Sequence, residues 1–352
     1  MKNGKNIRLD YISLVNVISA VSVVILHTNG IFWQYSNRRW WITADIIESF
    51  FYYAVPCFFM ITGATLLDYR NKYSTKEFFK KRIKKTVIPF LFWGIVAFVG
   101  TCISMGVSDR FHNPIYVIDD IINARIISIY WFFPALFSVY LCIPLFSAVR
   151  DDIKNEVFTY LALAGFIINS LIPFAIKAFQ LDMVFPINIG VAAGVLLYVI
   201  VGWLISKNTI SLKNEILIYC LSVVGFVIHA YYTYVISSEA GEVLRDYKGY
   251  TNLPCIIYSV GVFVFIKKRV SRIMNNEKIR ILINKMSGYT FGLYLIHWYI
   301  LVFVRDYIYR DLLSIPEQSI LFRLGAPLII IPVCLTILFI LKRIPIIKNI
   351  VP

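Results

Sequence analysis

The stretch YISLVNVISAVSVVILH, residues 11–27, decides the fold. Its apolar run has membrane length, and it ends on a histidine. An ionisable side chain at that depth costs solvation free energy, so His27 is the first candidate for a functional group. Arg8, Asp10, Asn16, Ser19 and His27 punctuate the segment. Asn16 and His27 are eleven positions apart, which returns to within about 20° of the same helix face and climbs about 16 Å along the axis. The spacing predicts one polar stripe on a single helix, turned into a bundle and away from lipid.

The rest of the chain repeats this pattern without a soluble domain. Of 352 residues, 59% are hydrophobic and only 16% charged, and the mean hydropathy is +0.71, far too apolar for a soluble globular protein. Apolar runs with few charges fall roughly at 12–33, 46–67, 86–108, 127–148, 157–176, 186–206, 215–236, 250–266, 287–305 and 323–341. Each approaches the length that a helix needs to cross about 30 Å of hydrocarbon. The expected fold class is all-α: a polytopic integral membrane helical bundle of about ten transmembrane helices. Residues 1–352 form one membrane-embedded domain, with no internal repeat or linker to divide it.

Charge sets the expected orientation. With the N-terminus in the cytoplasm, 25 of the 35 Lys and Arg residues fall in the inside segments. That asymmetry follows the positive-inside rule and puts both termini in the cytoplasm of a multi-pass plasma-membrane protein. The net charge of +15 needs no nucleic-acid partner, because the basic residues lie at helix ends facing anionic lipid. The first segment exceeds a signal-peptide core and lacks a small-residue cleavage site, so it is expected to remain as a helix.

Six cysteines sit on different segments without metal-ligand spacing, and read as small apolar fillers with no metal site. Ser74 or Thr75 is placed to cap a basic amphipathic helix over 74–85 on the inner leaflet. Glu48 enters the second segment at a depth that approaches His27, where it either orients the imidazole or serves as an acid at a helix N-terminus. Trp131 is an interfacial anchor or a substrate contact. His297 makes either a structural hydrogen bond or a substrate contact. His229 is expected in an interhelical bond and His112 in an external loop.

Several pieces then fall into an order. Arg8-Leu9-Asp10 leads to Val24-Ile25-Leu26-His27. Val55-Pro56-Cys57-Phe58-Phe59-Met60-Ile61-Thr62-Gly63 follows, then the basic segment and Pro89-Phe90-Leu91-Phe92-Trp93. Tyr130-Trp131-Phe132-Phe133 precedes Tyr140-Leu141-Cys142-Ile143-Pro144, and Ser287-Gly288-Tyr289-Thr290-Phe291-Gly292-Leu293-Tyr294-Leu295-Ile296-His297 closes the series. In this order the pieces resemble the membrane acyltransferase-3 family from residue 8 to about 298.

The resemblance implies transfer of an acyl group, usually acetyl from acetyl-CoA, to a hydroxyl of a cell-surface polysaccharide or lipid-linked sugar. No bound cofactor is implied; acetyl-CoA is the donor substrate. His27 matches the family's histidine and is the expected catalytic residue, as general base or as the carrier of an acyl-imidazole. Asn16, Glu48, Trp131 and His297 are the substrate-binding or orienting candidates. The chain departs from the family pattern where cations are common: Asn16 replaces an arginine, Tyr52 a basic residue and Ile129 a histidine. A saccharide transporter or flippase, or a non-catalytic descendant, remain the alternative readings.

Overall fold

The computed structural model describes residues 4–105, 113–345, 347, 350 and 351. Among them every regular element is helical. In chain order the helices are α1 (Gly4–Thr28), α2 (Arg39–Phe51), α3 (Ala54–Leu66), α4 (Thr75–Arg82), α5 (Ile88–Met105), α6 (Pro114–Ile122), α7 (Phe132–Ser147) and α8 (Lys154–Phe166). They continue with α9 (Ile172–Ala178), α10 (Val195–Lys207), α11 (Leu212–Ala240), α12 (Leu253–Lys268), α13 (Glu277–Ser287), α14 (Thr290–Phe303) and α15 (Ile320–Leu341). His112 lies outside the described residues, as does the side chain of Arg8.

Eight continuous helical stretches are long and apolar enough to cross a membrane. The protein is therefore a polytopic helical membrane protein. The two other expected spans are shorter helices: α10 has 13 residues and α12 has 16. The expected span 186–206 loses its first half because Pro186 interrupts the chain and Gly194 adopts φ +58°, which favours glycine. Asn169 serves the unwound backbone with its amide: it donates to the carbonyls of Ile189 and Ala192 and accepts from the Ile189 N–H at 2.9 Å. Irregular backbone in a membrane protein needs such side-chain partners.

The second stretch, Arg39–Asn71, is broken at Tyr52-Tyr53. Pro56 explains the break: it has no N–H for the Tyr52 carbonyl, and its ring clashes with that carbonyl. The break turns the Tyr52 ring toward the bundle interior. Ser74 caps α4, accepting from the Glu77 N–H. The amphipathic segment then runs on into α5, with Phe78 buried and Ile83 exposed.

Helix α1 packs against α3, α12, α13, α14 and α15, which places the opening polar stripe at the centre of the bundle. Beside it, α3 and α10 meet backbone to backbone. A Cβ on Gly63 would stand 1.8 Å from the Val199 carbonyl oxygen, and one on Gly202 would stand 2.1 Å from that of Met60. Close approach through small residues is how helices associate in lipid, where lipid-facing apolar surface gives no driving force. Gly202→Val is expected to lower stability by at least the 1–3 kcal/mol or so of ordinary overpacking, because the obstructing atoms are backbone. A fluorescence-detected melting curve in detergent checks this; an unchanged midpoint would show that the two helices separate without cost.

Candidate active site

The polar stripe of α1 meets a matching seam on α13 and α14. Asn284 donates to Asp10 at 3.0 Å. The Asn16 amide donates to the hydroxyls of Ser287 (3.0 Å) and Thr290 (2.8 Å). Further along the same face, His27 Nδ1 lies 2.6 Å from His297 Nε2. The buried His297 also holds two main-chain carbonyls with its other nitrogen, Leu293 O at 3.0 Å and Tyr294 O at 2.8 Å. His27 and His297 thus come together although 270 positions separate them.

The end of α1 is fixed from two sides. The Thr28 hydroxyl donates to the Arg323 carbonyl at 2.7 Å. The Asn29 amide donates to Ala44 O (2.8 Å) and to Glu48 Oε2 (3.3 Å), while Arg323 donates to Asn29 Oδ1 and to the Thr43 hydroxyl. Helices α2 and α15 therefore hold the turn that follows His27, so the imidazole sits on a rigid element.

His27 lies on the wall of a cavity of about 610 Å³, within the range of small-molecule sites. Glu48, Tyr52, Trp131, Tyr250 and Trp298 share that wall, together with Trp33, Arg245 and Lys248. Glu48 is anchored by Asn29, whereas the partner of His27 Nδ1 is His297. Trp131 stacks on Tyr250 (centroids 5.4 Å, 21°), and Tyr250 stacks in turn on Tyr52 (4.3 Å, 7°). Two anchors hold the segment that carries Trp131: Tyr130 donates to Leu295 O at 2.6 Å, and Tyr294 donates to Ile129 O. Indole faces around such a cavity suit the C–H faces of sugar rings as well as apolar chains.

Asn16 belongs to a second cavity, of about 370 Å³, nearer the N-terminal end of α1. Val23, Val55, Phe132 and Tyr294 line both cavities, so the two are neighbours that share these side chains as a wall. Arg82 and Lys85 line the second cavity. The Arg82 side chain lies beside the rings of Phe78 and Tyr140, and its Nε is buried without a partner. A buried donor left unpaired in this way is a place where a ligand acceptor fits.

The structure thus puts His27, Glu48 and Trp131 on one cavity wall, His297 behind His27, and Asn16 at the other cavity. Sequence reading took Trp33 and Trp298 as interfacial anchors, and it passed over Arg245, Lys248 and Tyr250, although an isolated lysine and arginine in a short loop between apolar segments were a usable signal. Cations stand in space near two positions where the family pattern has one and this chain does not. The Lys248 ammonium lies 5.4 Å from the Tyr52 ring centre, and Arg82 and Lys85 share the cavity of Asn16. His229 Nε2 lies 3.4 Å from the Lys248 amine. Among the described residues no cluster of metal-ligating side chains occurs.

Compared with known families, the acyltransferase-3 family, an acyltransferase domain, matches residues 9–341, nearly the whole chain. No curated protein and no solved structure matches.

Proposed function

Because the chain belongs to the acyltransferase-3 family, we propose that it moves an acetyl group from acetyl-CoA to a hydroxyl of a cell-surface polysaccharide or lipid-linked saccharide. Acyl transfer by a multi-pass membrane protein is the family's activity; the donor, acceptor and plasma-membrane site are the proposal. The observation that carries it is the position of His27, on the wall of an indole-lined cavity that neighbours a second, cation-bearing one.

A sugar hydroxyl is a poor nucleophile near neutral pH. As its oxygen bonds to the thioester carbonyl carbon, His27 removes its proton; the C–S bond then breaks, and the proton passes to the CoA thiolate. A positioned base of this kind contributes about 10²–10⁴-fold. The excess of Lys and Arg supports a cytoplasmic side for the Asn16 cavity and for both termini. Acetyl-CoA enters there, its phosphates on Arg82 and Lys85, and its thioester reaches past Val23 and Tyr294 toward His27. The acceptor binds from the opposite side, among Trp33, Trp131 and Trp298.

The O-acetyl content of surface glycans, read by NMR, falls in a strain lacking the gene and returns when it is restored. Unchanged acetylation with lipid-linked saccharide accumulating on the inner leaflet would replace this reading with transport. Arg82→Ala is expected to raise the KM for acetyl-CoA about tenfold, since a charge-assisted bond contributes about 1.5–3 kcal/mol and each 1.4 kcal/mol or so is a factor of ten. S-acetylpantetheine, which lacks the nucleotide phosphates, serves as control: its KM stays the same in the variant. Equal shifts for both donors would remove the phosphates from Arg82.

A further inference from the structure

The two histidines define a proton pattern. The centroids of the His27 and His297 rings are 4.9 Å apart and their planes lie within 10°. With 2.6 Å between the facing nitrogens, the remainder of the centroid separation is no more than the two ring radii. Both nitrogens therefore lie on the line joining the ring centres, in a common plane. This is the geometry of an in-line N–H···N hydrogen bond and not of a face-to-face stack.

The donor follows from the other side of His297. Its Nδ1 faces only carbonyl oxygens, Leu293 O and Tyr294 O. Carbonyls accept and never donate, so that nitrogen carries hydrogen. A neutral imidazole has one N–H, which leaves Nε2 of His297 as an acceptor. The hydrogen between the rings then belongs to His27 Nδ1, and the lone pair of His27 rests on Nε2. No protein group among the described residues bonds to Nε2, and His27 is on the cavity wall while His297 is not. The main chain of α14 thus dictates, through one imidazole, which edge of the other is basic.

We propose that His297 is the positioning residue of the transfer: it locks His27 as the Nδ1–H tautomer, with the Nε2 lone pair in the cavity, and accepts the shared proton's charge when Nε2 is protonated. This rests on the acyl-transfer reading for its catalytic consequence, but the tautomer itself does not. When the acceptor proton reaches Nε2, the hydrogen on Nδ1 moves toward His297 Nε2, and the two carbonyls stabilise the resulting imidazolium. Delivery of the Nε2 proton to the thiolate returns the pair to its starting state, with no proton gained or lost. In hydrolases a carboxylate fills this orienting role; here a second imidazole fills it without adding a buried negative charge.

Three variants separate positioning from packing. In His297→Gln, the side-chain oxygen can occupy the place of Nε2 and accept from His27. His297→Asn supplies an amide only near the position of Nδ1, and His297→Leu supplies neither. With labelled acetyl-CoA and membranes carrying the native glycan, Leu and Asn variants are expected to lose about a hundredfold in kcat. Their KM for acetyl-CoA stays within threefold, and Gln recovers to within tenfold of wild type. Equal losses in all three variants, or a loss in KM alone, would overturn the positioning role. ¹⁵N spectra of histidine-labelled protein give a readout that needs no activity, and with four histidines in the chain single substitutions assign them. Protonated Nδ1 and bare Nε2 at His27 are expected, with mixing of tautomers in His297→Leu. A protonated Nε2 in wild type would sink the inference. The expected spectrum in a protein that transfers no acetyl group would sink the functional reading instead.

Discussion

His27→Ala lowers acetyl transfer by about 10²–10⁴-fold, the usual contribution of a positioned general base, and leaves the fold intact. The second half of this expectation comes from the site. The His27 side chain is half-buried, and among the described residues its hydrogen-bonded partner is His297. After truncation, His297 Nε2 faces a cavity of about 610 Å³, large enough for water to replace the missing imidazole. The turn behind His27 is held by Thr28 and Asn29, whose bonds to Arg323, Ala44 and Glu48 do not involve the imidazole. His27→Asn sharpens the test, because an amide can still donate to His297 Nε2 but cannot take a proton. Both variants are compared with wild type in a strain lacking the gene, at matched expression, by NMR of glycan O-acetyl groups. Acetylation restored by either variant would remove His27 from the chemistry.

The shared face of Asn16 and His27 was legible from spacing alone, and both find their partners on α13 and α14. The family resemblance added His297 to the candidates. Neither showed that the two imidazoles meet, because contacts across 270 residues depend on how helices pack and not on local pattern. The 11 residues that bring Asn16 and His27 to one face also separate them by about 16 Å, which is why one stripe serves two cavities. Hydropathy marked 186–206 as a span, yet Pro186, Gly190 and Gly194 divide it; apolar character measures burial, not helical continuity. Lys248 was hidden for a different reason. Outside an apolar run a lysine reads as solvated, and its burial becomes visible only when α2 and α11 close around it.

That buried lysine leads to the second large effect. Asp45→Leu is expected to destabilise the protein by about 3–5 kcal/mol, the usual result of stranding one member of a buried ion pair. Lys248 and Asp45 are almost wholly inaccessible, 3.3 Å apart, and the ammonium also donates to Ser49 Oγ at 2.7 Å. Burial holds the Lys248 pKa below the ordinary lysine value, against the upward pull of Asp45 and Glu48. Desolvation outweighs attraction at Lys248, and a buried pair of this kind is expected to add little net stability over apolar packing. The double variant Asp45→Leu, Lys248→Met should accordingly regain most of what the single one loses, a recovery that a melting curve in detergent resolves. The pair acts on the site through the chain that it pins. Arg245, Gly249 and Tyr250, on either side of Lys248, all line the His27 cavity, and Tyr198 donates to Tyr250 O at 2.6 Å to hold the same loop from α10. Apolar replacement restores the packing but not the Lys248 ammonium on the acceptor side. The double variant should thus keep its KM for acetyl-CoA while its acceptor KM rises. A double variant as unstable as Asp45→Leu would show that the ion pair itself, and not the stranded charge, governs stability here.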